Sequence, residues 1–161
     1  MISAHAQILC DLLRTQEVAA LGTLHQGRPY VSMVPFAMLP GGTDFIIHVS
    51  QLAAHTKDML TSPPVSLLVI APPVPGVMAQ EQARITVQGE AVQRVAGTSG
   101  HAAAKAAYLA RFPQSEPMFG FSDFSLFVIV PDTIRFVGGF AQATTISRET
   151  LAEVLGQGAP R

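Results

Sequence analysis

The segment from Val18 to Ser50 constrains the fold more than any other part of the chain. "VAALGTLH" (18–25), "PYVSMVPFAML" (29–39) and "TDFIIHVS" (43–50) are apolar runs of strand length. Tight turns at "QGR" and "PGG" separate them, with glycine and proline supplying the backbone angles that turns require. Strands joined by turns this short pair antiparallel, because a parallel pair needs a crossover of roughly a dozen residues. In the third run Phe45, Ile47 and Val49 share one face and Ile46 and His48 the other. The expectation is a three-stranded antiparallel meander over 18–50.

The remaining chain adds strands and short helices. "ARITVQGEAVQRV" (83–95) alternates, with Ile85, Val87 and Ala91 on one side and Arg84, Thr86, Gln88 and Glu90 on the other. "PVSLLVIA" (64–71) is almost continuously apolar, which predicts burial on both faces. "SDFSLFVIVPDTIRFVGGF" (122–140) reads as two strands with a turn near Pro131–Asp132. Ile8, Leu9, Leu12 and Leu13 recur at helical spacing near the start. Residues 52–61 form a short helix by pattern, with Leu52, Met59 and Leu60 facing inward and Pro63 and Pro64 stopping it. Helices are also expected over 98–112, capped by Thr98 or Ser99, and over 147–155, capped by Ser147 or Thr150 and ended by Gly156. Segments 72–82 and 113–121 read as loops. The class is mainly β with short helices, and residues 1–161 read as a single domain. Six or seven antiparallel strands in so short a chain favour a small closed barrel over an open sheet.

Composition narrows the function. Hydrophobic residues make up 48% and charged residues 13%, so a partner subunit or an apolar cofactor is expected to cover part of the surface. The net charge is −1 without a basic block, which argues against nucleic-acid binding. Cys10 is the one cysteine, so neither a disulfide nor a cysteine zinc site is expected. No HxH or HxxxH spacing suggests a metal site. No apolar run is long enough to span a membrane, and the start lacks a signal-peptide pattern, so a cytoplasmic protein is expected.

The chemistry-bearing residues gather around "HVSQLAAHTKDML" (48–60). A helix opening just after a buried strand presents unpaired N–H groups and the positive end of its dipole, which suits an anion. Ser50, His55, Thr56 and Lys57 add donors there, and Arg84 opens another strand without a nearby acid. The same residues also read as an ordinary capped helix with a solvated face. Pro35 inside a strand predicts an edge, a bulge or a close approach of something else to the backbone. The double glycine of "VGGF" (137–140) predicts a close backbone approach or a bulge.

"GRPYVSMVPFAM", "FIIHVSQLAAHTKDMLTSPPVSLLVIA", "ARITVQGEA" and "DFSLFVIVPDTIRFVGGFAQA" together resemble the pyridoxamine 5′-phosphate oxidase-like FMN-binding split-barrel family, in particular its haem-utilisation branch. The resemblance runs from about Val18 to Ala143. It implies a six-stranded antiparallel split β-barrel, homodimeric, with FMN at the subunit interface. By that resemblance Ser32, Met33, Val34 and Pro35 would lie along the flavin, and His48, Val49 and Ser50 would border its ribityl chain and phosphate. His55, Thr56 and Lys57 would hold the phosphate, and Arg84 would contact the flavin.

Departures from the family pattern matter. The true oxidase carries arginine and lysine where this chain has Ser32 and Ala37, and an Arg–Lys pair where it has Ala54 and His55. Oxidation of pyridoxamine phosphate itself is therefore not expected, since a substrate phosphate needs cationic partners. The haem-utilisation branch usually carries a further C-terminal domain, and haem ligands drawn from it are not expected in these 161 residues.

Three functions follow as expectations. The first is an FMN-dependent oxidoreductase of unknown small-molecule substrate, with no catalytic side chain singled out. The alternative is a haem-binding or haem-degrading protein, with His5, His25, His48, His55 and His101 as the available ligands. The third is a non-catalytic flavin-binding module.

Overall fold

The computed structural model describes residues 3–139 and 141–157. Helix α1 (Ala4–Thr15) starts where the Ser3 hydroxyl accepts the Ala6 N–H, and it buries Leu9, Cys10, Leu12 and Leu13. Strands β1 (Val18–His25) and β2 (Arg28–Pro35) form a hairpin in continuous register from Val18 opposite Pro35 to His25 opposite Arg28. Its two-residue turn has Gln26 and Gly27 at positive φ, the geometry that matches the twist of a hairpin.

The expected meander breaks at Phe36. Strand β3 (Ala37–Met38) pairs with β4 (Phe45–Ser50) and not with β1, while the Phe36 N–H bonds to the Glu17 carbonyl. Helix α2 (Ala54–Thr61), β5 (Pro64–Ile70), β6 (Arg84–Arg94), α3 (Ser99–Arg111), β7 (Phe124–Val137), β8 (Ala143–Ile146) and α4 (Arg148–Gln157) follow. The strand order is β2-β1-β5-β6-β7-β4-β3, with β8 on β7 and all pairs antiparallel. Thus β2 and β3 end the sheet on opposite sides, yet one residue joins them. One residue spans only about 3.5 Å, so the sheet must curl until its edges meet. This is the split barrel, with β3 and β8 as short additions to the six strands expected.

The barrel interior holds Leu21, Val34, Phe36, Phe45, Ile47 and Met59 among its buried residues. A second cluster lies outside, where α3 sets Ala104, Tyr108 and Phe112 against Ile46 of β4 and Leu126 and Val128 of β7.

Three local expectations are corrected. Residues 122–140 contain one long strand in place of two, because β7 runs through Pro131. The register shifts between Gln88 and Gly89, so the irregularity is absorbed by a bulge and no turn forms. A Cβ on Gly89 would lie 2.2 Å from the Val130 carbonyl oxygen, so only glycine fits. Strand β5 buries one face within the chain: Val65, Leu67 and Val69 point inward, while Ile70 is exposed. In α2 only Met59 of the three expected apolar residues is buried, Leu52 and Leu60 being 77% and 57% exposed. Its inward face carries Thr56 and Asp58 instead.

The close approach expected at "VGGF" is seen at Gly138, where a Cβ would lie 2.8 Å from the His5 ring; Phe140 lies outside the described residues. No helix among the described residues is long and apolar enough to cross a membrane.

Candidate functional site

The hairpin register puts Leu21 opposite Ser32, Thr23 opposite Tyr30, and His25 opposite Arg28. Alternate residues share a face, so Thr23, His25, Tyr30 and Ser32 line the side that α2 covers. Asp58 of α2 is 5% exposed and accepts two hydrogen bonds. The Thr23 hydroxyl reaches one carboxylate oxygen at 2.8 Å, and His25 Nδ1 reaches the other at 2.7 Å. One turn earlier, His55 Nδ1 lies 2.9 Å from the Ser32 hydroxyl. Burial pushes the His55 pKa down, opposed in part by the Asp58 charge. His55 therefore works here as a neutral hydrogen-bonding ring. The Tyr30 ring stands 5.5 Å from that of His25.

The turn before α2 is partly committed to its own backbone. The Ser50 hydroxyl accepts the Leu52 N–H at 3.2 Å, and the fully buried Thr56 hydroxyl donates to the Ser50 carbonyl at 2.6 Å. No side chain caps the helix at Ala53, and Lys57 is exposed. An anion at this end would meet free first-turn N–H groups and the Lys57 ammonium, with the Thr56 hydroxyl already engaged.

The residues expected around a flavin are only partly gathered. Ser32, Ser50, His55, Thr56 and Lys57 come together where the hairpin meets α2. Within β2, Ser32 and Val34 face inward while Met33 and Pro35 are exposed on the other face. A flat ring could therefore meet all four only along the unpaired backbone of this edge strand, the position in which Pro35 costs no ladder bond. Val49 points into the barrel core. His48 points the opposite way, beneath α3, against Phe119, Phe124 and Tyr108. Arg84 lies three strand positions from β2 and donates to the Gln80 and Gln82 carbonyls.

Asp58 carries no sequence signal of its role, because Leu52 and Leu60 read as the buried face of its helix. His25 was one histidine among five, and its carboxylate partner lies 33 positions away. No sequence pattern links them.

Two hollows flank the structure. One of about 720 Å³ lies among α1, α3, α4 and the β3–β4 turn, away from the hairpin site. Its Arg111 is committed to the Leu13, Arg14 and Gln16 carbonyls and stacks over Phe36, so it acts as a clamp between helices. A groove of about 390 Å³ crosses the outer sheet face at Gly22, Val31 and Ser66. Around it Val18, Leu24, Val31, Met33 and Ile70 are exposed. Register puts Val31 beside Gly22, Gly22 beside Ser66, Met33 beside Ala20 and Ala20 beside Leu68, so this is one continuous and largely apolar face.

The sequence profile of pyridoxamine 5′-phosphate oxidase matches residues 8–138. The chain is 37% identical over 135 residues to the chloroplast haem oxygenase HOZ of Arabidopsis thaliana, covering 84% of this chain and 38% of that protein. It is 27% identical over 129 residues to the haem oxygenase HutZ of Vibrio cholerae, covering 80% of this chain and 72% of that protein. A haem-binding protein from Mycobacterium smegmatis superposes with a TM-score of 0.82 at 27% identity, over 95% of this chain and 62% of that one. The chain thus spans well under half the length of its Arabidopsis relative. The chain belongs to the pyridoxamine 5′-phosphate oxidase family, with relatives in its haem-utilisation branch.

Proposed function

We propose that this chain binds haem as a homodimer and takes part in its breakdown. The observation that carries the reading is the exposed apolar face of β2, β1 and β5, with the polar His25–Asp58–Thr23 cluster on the opposite face of the hairpin. A porphyrin is a flat apolar ring with two carboxylates and an iron that takes an imidazole. It needs apolar walls, an anion-binding end and a nitrogen ligand. The outer face of the hairpin offers apolar surface, and on its other face α2 offers an uncapped N-terminus with Lys57 beside His55 and His25. The relatives named as haem oxygenases support the same reading. Bound haem would supply the redox-active iron and would itself be the molecule consumed. This chain would orient it, exclude water from one side and hold protons at Ser32, His55 and Tyr30.

The uncovered sheet face supports the homodimer reading. Exposed valine, leucine, methionine and isoleucine side chains on three adjacent strands favour a second apolar surface over water. We place the cytoplasm as its compartment and the whole 161-residue stretch as one split-barrel domain.

FMN is the second reading, favoured by the open α2 N-terminus beside the β2 edge strand. The chain would then be a flavoprotein oxidoreductase or a flavin-holding module. Parallel titrations separate the readings. Purified protein is mixed with haem or with FMN, unbound ligand is removed, and the visible spectrum is recorded. Retained haem with a shifted Soret band, near one per subunit, is the expected result. Retained flavin with no haem uptake overturns it.

A further inference from the structure

We propose that the hollow among α1, α3, α4 and the β3–β4 turn is a second binding site, which takes a small carboxylate with an apolar body and holds its anionic head at Arg14 and Arg111. None of the residues lining it belongs to the hairpin site, so the inference stands apart from the haem reading.

The volume, about 720 Å³, lies in the range of pockets that enclose a small molecule. Leu13, Met38, Leu39, Ala107 and Leu155 supply apolar walls from the three helices and β3. These walls are fixed. Leu151 anchors α4 in the barrel core, the Cys10 thiol donates to the Val154 carbonyl at 3.2 Å, and Arg148 reaches Asp44 at 3.6 Å. The hollow lies between pinned elements, which spares a ligand the cost of ordering them.

Charge selects the ligand. Arg14 and Arg111 are the charged residues of the wall, and no acid among the described residues lines it. Arg111 donates through Nη1 to the Leu13 carbonyl and through Nη2 to those of Arg14 and Gln16. Carbonyls accept hydrogen bonds but carry no net charge, and among the described residues no carboxylate pairs with Arg111. Burial therefore weighs on the cation and pushes its pKa down, against the opposing pull of the Glu17 charge. An anion in the hollow would relieve that cost. Clamping α1 accounts for the carbonyl bonds of Arg111, but not for a second guanidinium in a wall without acids. A neutral or cationic ligand would gain nothing from the guanidiniums, and a bare inorganic anion would leave the apolar walls wet. A carboxylate on an aliphatic or aromatic body meets both.

The test is isothermal titration calorimetry of the full chain, with octanoate as the probe, octanol as its uncharged counterpart and circular dichroism to follow folding. The wild type should bind octanoate saturably and more tightly than octanol. Arg14→Gln, at an exposed position, should weaken octanoate by about tenfold, the loss of one charge-assisted contact, and leave octanol unchanged. Ala110→Trp, also at an exposed position of the wall, should fill the hollow and abolish binding of both. Val31→Ser combined with Met33→Ser, on the outer sheet face, should leave octanoate binding as it is. No saturable uptake by the wild type overturns the proposal. So does octanol binding as tightly as octanoate, unchanged affinity in Arg14→Gln, full binding by folded Ala110→Trp, or a loss confined to the sheet-face variant. Loss of haem uptake in Ala110→Trp overturns the separation of the two sites.

Discussion

His48 and Phe119 lie face to face, their ring centroids 3.8 Å apart and their planes 3° from parallel. The pair seals the layer between β4 and α3, with Tyr108 and Phe124 at its edges. Burial pushes the His48 pKa down from 6.5 to about 4, with His101 and Lys105 adding smaller pushes the same way. His48 packs here as a core side chain, whereas the family resemblance implies a neighbour of the flavin ribityl chain and phosphate.

A pH dependence follows, and its sign is fixed by the lowered pKa. The unfolded chain takes up a proton as pH falls through 6.5, whereas folded His48 resists until about 4. Stability contributed by the neutral ring is therefore full above pH 6.5 and lost progressively down to pH 4. A shift of that size bounds the effect at about 3 kcal/mol. Melting temperatures at pH 7.5 and 5 should differ less in His48→Leu than in the wild type. His55, shifted in the same direction, leaves a residual slope.

Gly89→Ala should be severely destabilising. The new methyl would sit 2.2 Å from the Val130 oxygen, which is backbone and cannot swing aside. Overpacking of a rigid site costs roughly 1–3 kcal/mol or more. The readout is thermal melting, against Gly120→Ala as a control where nothing lies within 4 Å of the added methyl and the backbone is unstrained. A control loss equal to that of Gly89→Ala would point to generic glycine effects.

Thr56→Val tests the turn before α2. It removes the donor to the Ser50 carbonyl at a site with no exposure, and should cost about 1–3 kcal/mol in denaturant unfolding. A loss of FMN or haem affinity with no loss of stability would instead put the hydroxyl in ligand contact.

The dimer reading is tested by Val31→Asp combined with Met33→Asp. Both side chains are exposed, at 69% and 62%, so the monomer tolerates the change while an apolar interface does not. Light scattering should give a dimer for the wild type and a monomer for the variant. A wild-type monomer at micromolar concentration removes the reading.

For FMN, replacing both His55 and Lys57 by Ala should weaken binding by about tenfold, and Lys57→Ala alone should account for most of it. Burial keeps His55 neutral, so the helix-end charge is that of Lys57. A charge-assisted contact is worth roughly 1.5–3 kcal/mol. Equal losses from the two single variants, measured by flavin fluorescence, would contradict this division.

Strand positions were legible because alternation and turn residues are local. The ends of β1, β4 and β6 were read to within about two residues for that reason. Pairing was not local. Nothing in "VSMVPFAM" shows that Phe36 carries the chain from one edge of the sheet to the other. Pro131 reads as a turn because its accommodation depends on Gly89, far away in sequence. The site followed the same rule. The Ser50–Lys57 run was visible as a motif, whereas the Asp58 bonds to Thr23 and His25 arise only from the packing of α2 on β1.

The single residue between β2 and β3 gives the barrel a fixed circumference at one point. Phe36 is wholly buried, tied through its N–H to Glu17 and overlain by the Arg111 guanidinium. The strand bearing Ser32 is thus tethered at its end to the opposite rim. A ligand pressing between β2 and its surroundings cannot peel that strand away without pulling β3, β4 and the helix α3 behind them. The rim of the site is stiff where a free edge strand would fray, and its shape is set before any ligand arrives.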